Sequence, residues 1–192
     1  MNSFPNRAGE AAREYHDRTA HSHASVRQSG HSLDWDTKPF LYKVYPDLPV
    51  TPLPREFPQP ARDTLEAAGA FEGAGGALTL ETLASLLFFT AGLTRKKTYP
   101  GGGEMHFRAA PSTGALYQTE VYVVAGDLPG LPGGVYHFSP GDFCLRRLRA
   151  GDFRSELGIA ALDEGISTSA ATLVFTAIYW RNTWKYQARG YR

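Results

Sequence analysis

The stretch FRAAPSTGALYQTEVYVV, residues 107–124, passes from a cation and a string of small residues into an apolar strand. Arg108 offers a positive charge, and Ser112 and Thr113 offer hydroxyls. Ala110, Pro111 and Gly114 leave the main chain open to close approach. Such a loop suits a planar or phosphorylated ligand, because no bulky side chain screens its N–H groups. It lacks the lysine and glycine spacing of a P-loop, and it is not a GxGxxG fingerprint. The bland reading is a tight connection between a helix and a strand, which is what Gly/Pro/Ser clusters commonly are.

A second candidate lies at residues 180–192, WRNTWKYQARGYR. Trp180, Trp184, Tyr186 and Tyr191 interleave there with Arg181, Lys185, Arg189 and Arg192. A lysine desolvated between aromatic rings can lose its proton more easily and act as a base, with Tyr186 donating or relaying a proton. The bland alternative is the basic, amphipathic start of a helix whose cations stay solvated. Arginine between aromatics also suits single-stranded nucleic acid. A net charge of +1 supplies no electrostatic footprint for that, or for an anionic membrane.

The remaining polar residues say less. Four of the six histidines, His16, His21, His23 and His31, fall in the polar stretch 1–36. His21 and His23 have no carboxylate or cysteine cluster at ligand spacing, so they read as solvated side chains and not as a metal pair. Asp34 and Asp36 offer no paired-carboxylate chemistry. Cys144 is the single cysteine, which excludes an intramolecular disulfide and fits a reducing cytosol. The start of the sequence has no apolar stretch of signal-peptide length, and no run approaches the roughly 20 apolar residues of a membrane span. The expectation is a soluble, cytoplasmic protein.

The elements that must position these residues follow from patterning. The 192 residues suit one domain with an appended arm, and 42% apolar content is enough for a core. Residues 46–60 hold six prolines and read as an extended strap. Leu80, Leu83, Leu86, Leu87 and Ala91 recur at helical spacing behind Thr79 as N-cap, with Phe88 and Phe89 widening the apolar face and Gly92 as the stop. This predicts a buried helix, followed by a basic, glycine-rich loop over 94–108 in which Gly101–Gly103 are mobile. EVYVVAG reads as a strand, and GVYHFSPGDFCLRRL as two strands joined by a type II turn at Ser-Pro-Gly-Asp. GDFRSELGIAAL predicts a helix. TLVFTAIYW predicts a strand covered on both faces, followed by a loop entering a helix. The mixture indicates an α+β layer fold. A strand and one helical turn are an odd finish for a domain, so the core is expected to continue beyond Arg192.

Three stretches together resemble the SagB-type, azoline dehydrogenase-like branch of the nitroreductase-like FMN flavoproteins. They are YHDRTAHSHASVRQSGHSLDW at 15–35, FRAAPSTGALYQTEVYVV at 107–124 and NTWKYQARGYR at 182–192. The resemblance implies a nitroreductase-like α+β fold, with a central, mostly antiparallel sheet flanked by helices and cut short before the final core helices. Residues 1–60 would be the arm and strap, and residues 61–192 the core. It implies FMN bound between two copies or two halves, with Ala110, Pro111, Ser112, Thr113 and Gly114 against the isoalloxazine ring and Arg108 just before them. It also implies that Lys185 and Tyr186 handle the proton of a dehydrogenation. The chain departs from the family pattern where an arginine-rich phosphate grip is expected, since no arginine stands between Arg62 and Arg95.

The resulting expectation is an FMN-dependent oxidoreductase, dehydrogenating in the azoline-to-azole manner or reducing an organic substrate by hydride transfer at flavin N5. Its partners would be a small-molecule or peptide substrate and a second copy or a second nitroreductase-like half, without nucleic acid or membrane. The alternative is a catalytically degenerate half that acts as a scaffold or peptide-binding partner without its own FMN.

Overall fold

The computed structural model describes residues 9–57, 62–69 and 76–192. In chain order the elements are helices α1 (Glu10–Thr19) and α2 (His23–Gln28), strand β1 (Val50–Pro52), helices α3 (Thr64–Gly69) and α4 (Leu80–Ala91), strands β2 (Leu93–Thr98), β3 (Glu104–Arg108), β4 (Thr119–Ala125), β5 (Gly134–Ser139) and β6 (Cys144–Ala150), helices α5 (Arg154–Ala161) and α6 (Glu164–Thr168), strand β7 (Ala171–Ala177) and helix α7 (Tyr179–Tyr186). Two compact units result, one from the chain up to Pro39 together with Tyr179–Arg192, the other from Phe40–Ile178. No helix among the described residues is long and apolar enough to cross a membrane.

The larger unit is built on a five-stranded sheet in the order β1-β6-β5-β4-β7, with every neighbouring pair antiparallel. Strand alternation sorts its side chains. Val121, Val123 and Ala125 of β4, Tyr136 and Phe138 of β5 and Leu145 of β6 join the core with Leu83, Ala84, Leu87 and Ala91 of α4. Full burial of side chains such as Leu83 and Leu87 stabilises by roughly 1.5–3 kcal/mol each. On the other parity of β4 and β5, Glu120 and His137 form a buried pair at 2.7 Å. Val50–Pro52 of the proline strap forms the edge strand β1, where proline is tolerated.

Helix α4 begins as its sequence implies, with the Thr79 hydroxyl accepting the Thr82 N–H at 3.2 Å. It is buried on one face only, because Leu86 and Phe89 are 50% and 64% exposed. Gly92 ends it in an extended conformation. Its lack of a side chain serves close packing, since a Cβ there would lie 2.7 Å from Phe88.

Four further expectations are corrected. The basic segment 93–108 is a hairpin, with β2 paired to β3 and a turn through Gly101 and Gly102, both at positive φ. Its cations hid the strands because a two-stranded ribbon exposes side chains on both faces. Strand β7 is an edge strand paired to β4 among the described residues, and Phe175 is 55% exposed, so its apolar run does not mean cover on both faces. The β5–β6 turn is not type II, because the left-handed residue is Phe143 (φ 55°) and not Gly141. Finally, α7 starts at Tyr179 directly after the strand, without an entering loop.

The smaller unit is helical, and the polar stretch before residue 36 carries α1 and α2. Its exposed histidines decorate α1, α2 and the flanking turns, and no group of three or more metal-ligating side chains occurs among the described residues. The Trp184 indole N–H donates to the Asp34 carbonyl at 2.8 Å, and the Trp35 ring meets Trp184 edge-on at 5.6 Å. Arg192 donates to the Thr19 hydroxyl at 2.9 Å, and the Tyr15 hydroxyl donates to the Ala188 carbonyl at 2.5 Å.

Candidate functional site

The loop singled out from sequence leaves strand β3 at Arg108 and reaches β4 at Thr119. Arg108 is buried, at 8% exposure. Its backbone N–H donates to the Tyr117 hydroxyl at 3.0 Å, and its guanidinium donates to the Leu41 carbonyl at 2.7 Å. The guanidinium lies 5.1 Å from the centre of the Tyr42 ring and 4.7 Å from that of Tyr117, a stacking arrangement that a lysine could not reproduce.

Beyond Arg108 the loop opens to solvent. Ala110, Pro111, Thr113 and Gly114 are exposed and Ser112 is half-buried, whereas Leu116 and Tyr117 are buried. The Ser112 hydroxyl oxygen accepts the Tyr117 N–H at 2.8 Å, and its carbonyl accepts the Ala115 N–H at 3.0 Å. The backbone then turns left-handed at Gly114 (φ 64°), Ala115 (φ 54°) and Tyr117 (φ 46°). Only the first of these is glycine. A non-glycine residue held there costs on the order of 1–3 kcal/mol, and such strain persists only where surrounding bonds over-determine it. Here the Ser112 and Arg108 contacts do so.

Strand alternation puts Glu104, His106 and Arg108 on one face of β3. The Tyr42 hydroxyl is hydrogen-bonded to His106 Nδ1 at 2.5 Å, and His106 Nε2 stands 3.4 Å from the Glu104 carboxylate. Glu104 is in turn paired with Lys96 of β2 at 2.7 Å. That pairing, first through the Lys96 hydrogen bond, holds the Glu104 carboxyl below its ordinary value, while burial pushes the Tyr42 phenol up against the opposing pull of the Arg108 cation.

Lys185 and Tyr186 close α7 in the smaller unit, both half-buried, with the Lys185 ammonium 5.6 Å from the centre of the Tyr186 ring. The loop residues Arg108–Gly114 belong to the larger unit. Tyr42, His106, Glu104 and Tyr117 were not singled out from sequence. The i, i+2, i+4 spacing of Glu104, His106 and Arg108 was the available signal, and it becomes readable only once 93–108 is known to be a hairpin.

The fit of these residues to FMN can be judged from the donor set. The exposed, small-residue loop with its left-handed Gly114 leaves its main chain open to close approach. The Arg108 guanidinium donates to the Leu41 carbonyl and lies against two aromatic rings, contacts that brace the loop. Of the segment lacking the family's arginine cluster, residues 70–75 lie outside the described residues.

An antiparallel sheet carrying this loop, with a helical layer on its core face, is a nitroreductase-like α+β fold. Comparison with known proteins bears this out. A protein of Methanocaldococcus jannaschii and a crystal structure from Anabaena variabilis, each described as a "putative nitroreductase", are similar to the chain. The first is 34% identical over 116 residues, covering 60% of this chain and 54% of the relative. The second is 28% identical with a TM-score of 0.74, covering 94% of this chain and 34% of the Anabaena chain. The chain thus spans about half of the curated relative and about a third of the solved one. No family model matches. Sequence and structure together support kinship with the nitroreductase-like proteins.

Proposed function

We propose that this chain forms part of an FMN-dependent oxidoreductase of the SagB type, acting on a small organic molecule or a peptide. The observation that carries the reading is the exposed Ala110–Gly114 loop, braced by Arg108, Ser112 and Tyr117, on a nitroreductase-like fold. FMN, when bound, supplies a hydride acceptor or donor at N5. The chain's own residues present the main chain of Ala110, Pro111, Ser112, Thr113 and Gly114 to the ring. Lys185 and Tyr186 take or return the accompanying proton, a role assigned by motif. A second copy, or a second nitroreductase-like half, completes the site. The substrate chemistry is dehydrogenation of the azoline-to-azole type or reduction of an organic acceptor.

A second reading is favoured by the engagement of Arg108 and by the stretch between Arg62 and Arg95 that holds no arginine. In that reading the chain is a degenerate half that serves as a scaffold or peptide-binding partner. One experiment separates the two. The purified chain is mixed with FMN, desalted and examined for visible flavin absorbance. Retained flavin supports the oxidoreductase reading. A colourless protein, both alone and with a candidate second half, overturns it in favour of the scaffold.

A further inference from the structure

We propose that Tyr42, His106 and Glu104 form a proton relay that connects the Arg108–Gly114 loop to solvent. The three groups stand in sequence, with Tyr42 O to His106 Nδ1 at 2.5 Å and His106 Nε2 to Glu104 at 3.4 Å. Accessibility rises from His106 to Glu104. Tyr42 is half-buried, and the His106 and Glu104 side chains are 20% and 41% exposed. A hydroxyl within hydrogen-bond reach of a base that is itself faced by a third group is the arrangement that activates a proton-transferring side chain.

The inner end of the relay lies in the side-chain network that holds the loop. Tyr42 shares the Arg108 guanidinium with Tyr117, and the Tyr117 N–H is bound by Ser112. The charged and titratable groups facing Tyr42 are His106 and Arg108 from β3, Lys96 from β2 and Tyr117 from the loop. Burial raises the Tyr42 phenol and outweighs Arg108 and Lys96, which both favour the phenolate. Lys96 is partly neutralised by Glu104, which leaves Arg108 as the principal cation over the phenol.

The step is balanced. In the tautomer that carries its proton on Nε2, His106 offers Nδ1 to the Tyr42 O–H and Nε2–H toward Glu104. A proton from the ligand on the loop binds to the Tyr42 oxygen as the phenolic proton passes to His106 Nδ1. One O–H bond forms and one breaks, and the imidazolium faces the Glu104 carboxylate. Its Nε2 proton then leaves by way of Glu104 to water, and the reverse sequence delivers a proton inward. An oxidoreductase exchanges protons in both half-reactions, so this route complements the role assigned to Lys185. The relay rests on the flavin reading for the ligand it serves.

The test records the imidazole nitrogen resonances of His106 in the full chain for the wild type, Tyr42→Phe and Glu104→Gln. Turnover with NADPH and menadione is then followed against pH, with bound FMN measured in each sample. The expected spectrum shows the His106 proton on Nε2, an Nδ1 resonance that moves to an unbonded position in Tyr42→Phe, and mixed tautomers in Glu104→Gln. Tyr42→Phe should retain FMN and lose about 10²-fold or more in turnover, the scale of a positioned proton-transfer group. A proton on Nδ1, an Nδ1 resonance indifferent to Tyr42→Phe, or full turnover in that variant overturns the relay. Loss of FMN from the wild type overturns the flavin reading instead, and the imidazole spectrum then decides the relay alone.

Discussion

Tyr117 receives the backbone N–H of Arg108 on its hydroxyl at 3.0 Å while its ring lies 4.7 Å from the same residue's guanidinium. The strand end and the loop that follows are thereby locked by one side chain. Tyr117→Phe keeps the ring and removes the acceptor, which leaves a buried N–H without its partner at a cost of about 1–3 kcal/mol. The expected outcome is a lower denaturant midpoint with an unchanged m-value. An unchanged midpoint would show that the hydroxyl is not needed to hold β3 to the loop.

Lys185 is predicted to act in chemistry and not in cofactor retention, because it belongs to α7 and not to the Ala110–Gly114 loop. Lys185→Ala should keep its flavin and lose about 10²–10⁴-fold in turnover. Lys185→Arg restores the charge but not a titrating base, so it should stay slow. Wild-type turnover in Lys185→Ala would remove the residue from the mechanism.

Two glycines give a paired stability test. A Cβ at Gly92 would meet Phe88 backbone and ring atoms at 2.7 Å, whereas one at Gly103 meets nothing within 4 Å. Gly92→Ala should therefore lower stability by roughly 1–3 kcal/mol, the usual range for overpacking. Gly103→Ala should be neutral or stabilise by up to about 1 kcal/mol through the unfolded chain. Thermal melts of the two variants read this directly, and equal melting temperatures would refute the steric account of the α4 terminus.

Asp152 has its carboxyl lowered to about 2, first by the Arg154 side-chain hydrogen bonds and then by the Arg154 backbone N–H. A folded-state value below the ordinary aspartate value of 3.8 means that this stabilisation is present above that pH. It is lost as pH falls from there through about 2. The Asp152 side chain is 49% exposed, so solvent screening keeps the effect small. Asp152→Asn should lower the melting temperature slightly at neutral pH and converge with the wild type near pH 2. A gap that persists at low pH would assign the loss to packing instead of charge.

Much of the fold was legible because its signals are local. The Thr79 cap and the spacing of Leu80 to Ala91 determined α4, and alternation and apolar runs determined β4, β5, β6 and β7 as strands. The small-residue loop at 109–114 was visible for the same reason, since side-chain size is written in the sequence. The partners of those elements were not visible. Charge on both sides of Gly101–Gly103 concealed the β2–β3 hairpin, whose ladder is made by backbone groups common to every residue. The apolar run of β7 could not tell an edge from a centre, because that depends on which strands pair.

The bond between Tyr42 and His106 joins residues 64 apart, so no periodicity could announce it. The sequence by itself singled out the Ala110–Gly114 loop and the Lys185–Tyr186 pair as candidates, but not Tyr42, His106 or Glu104 and not the β2–β3 hairpin. Only the tertiary structure decided that Arg108 braces the loop and that a tyrosine, a histidine and a glutamate stand in line beside it, because neighbours across a fold are chosen by packing and pairing over distances that local patterning does not encode.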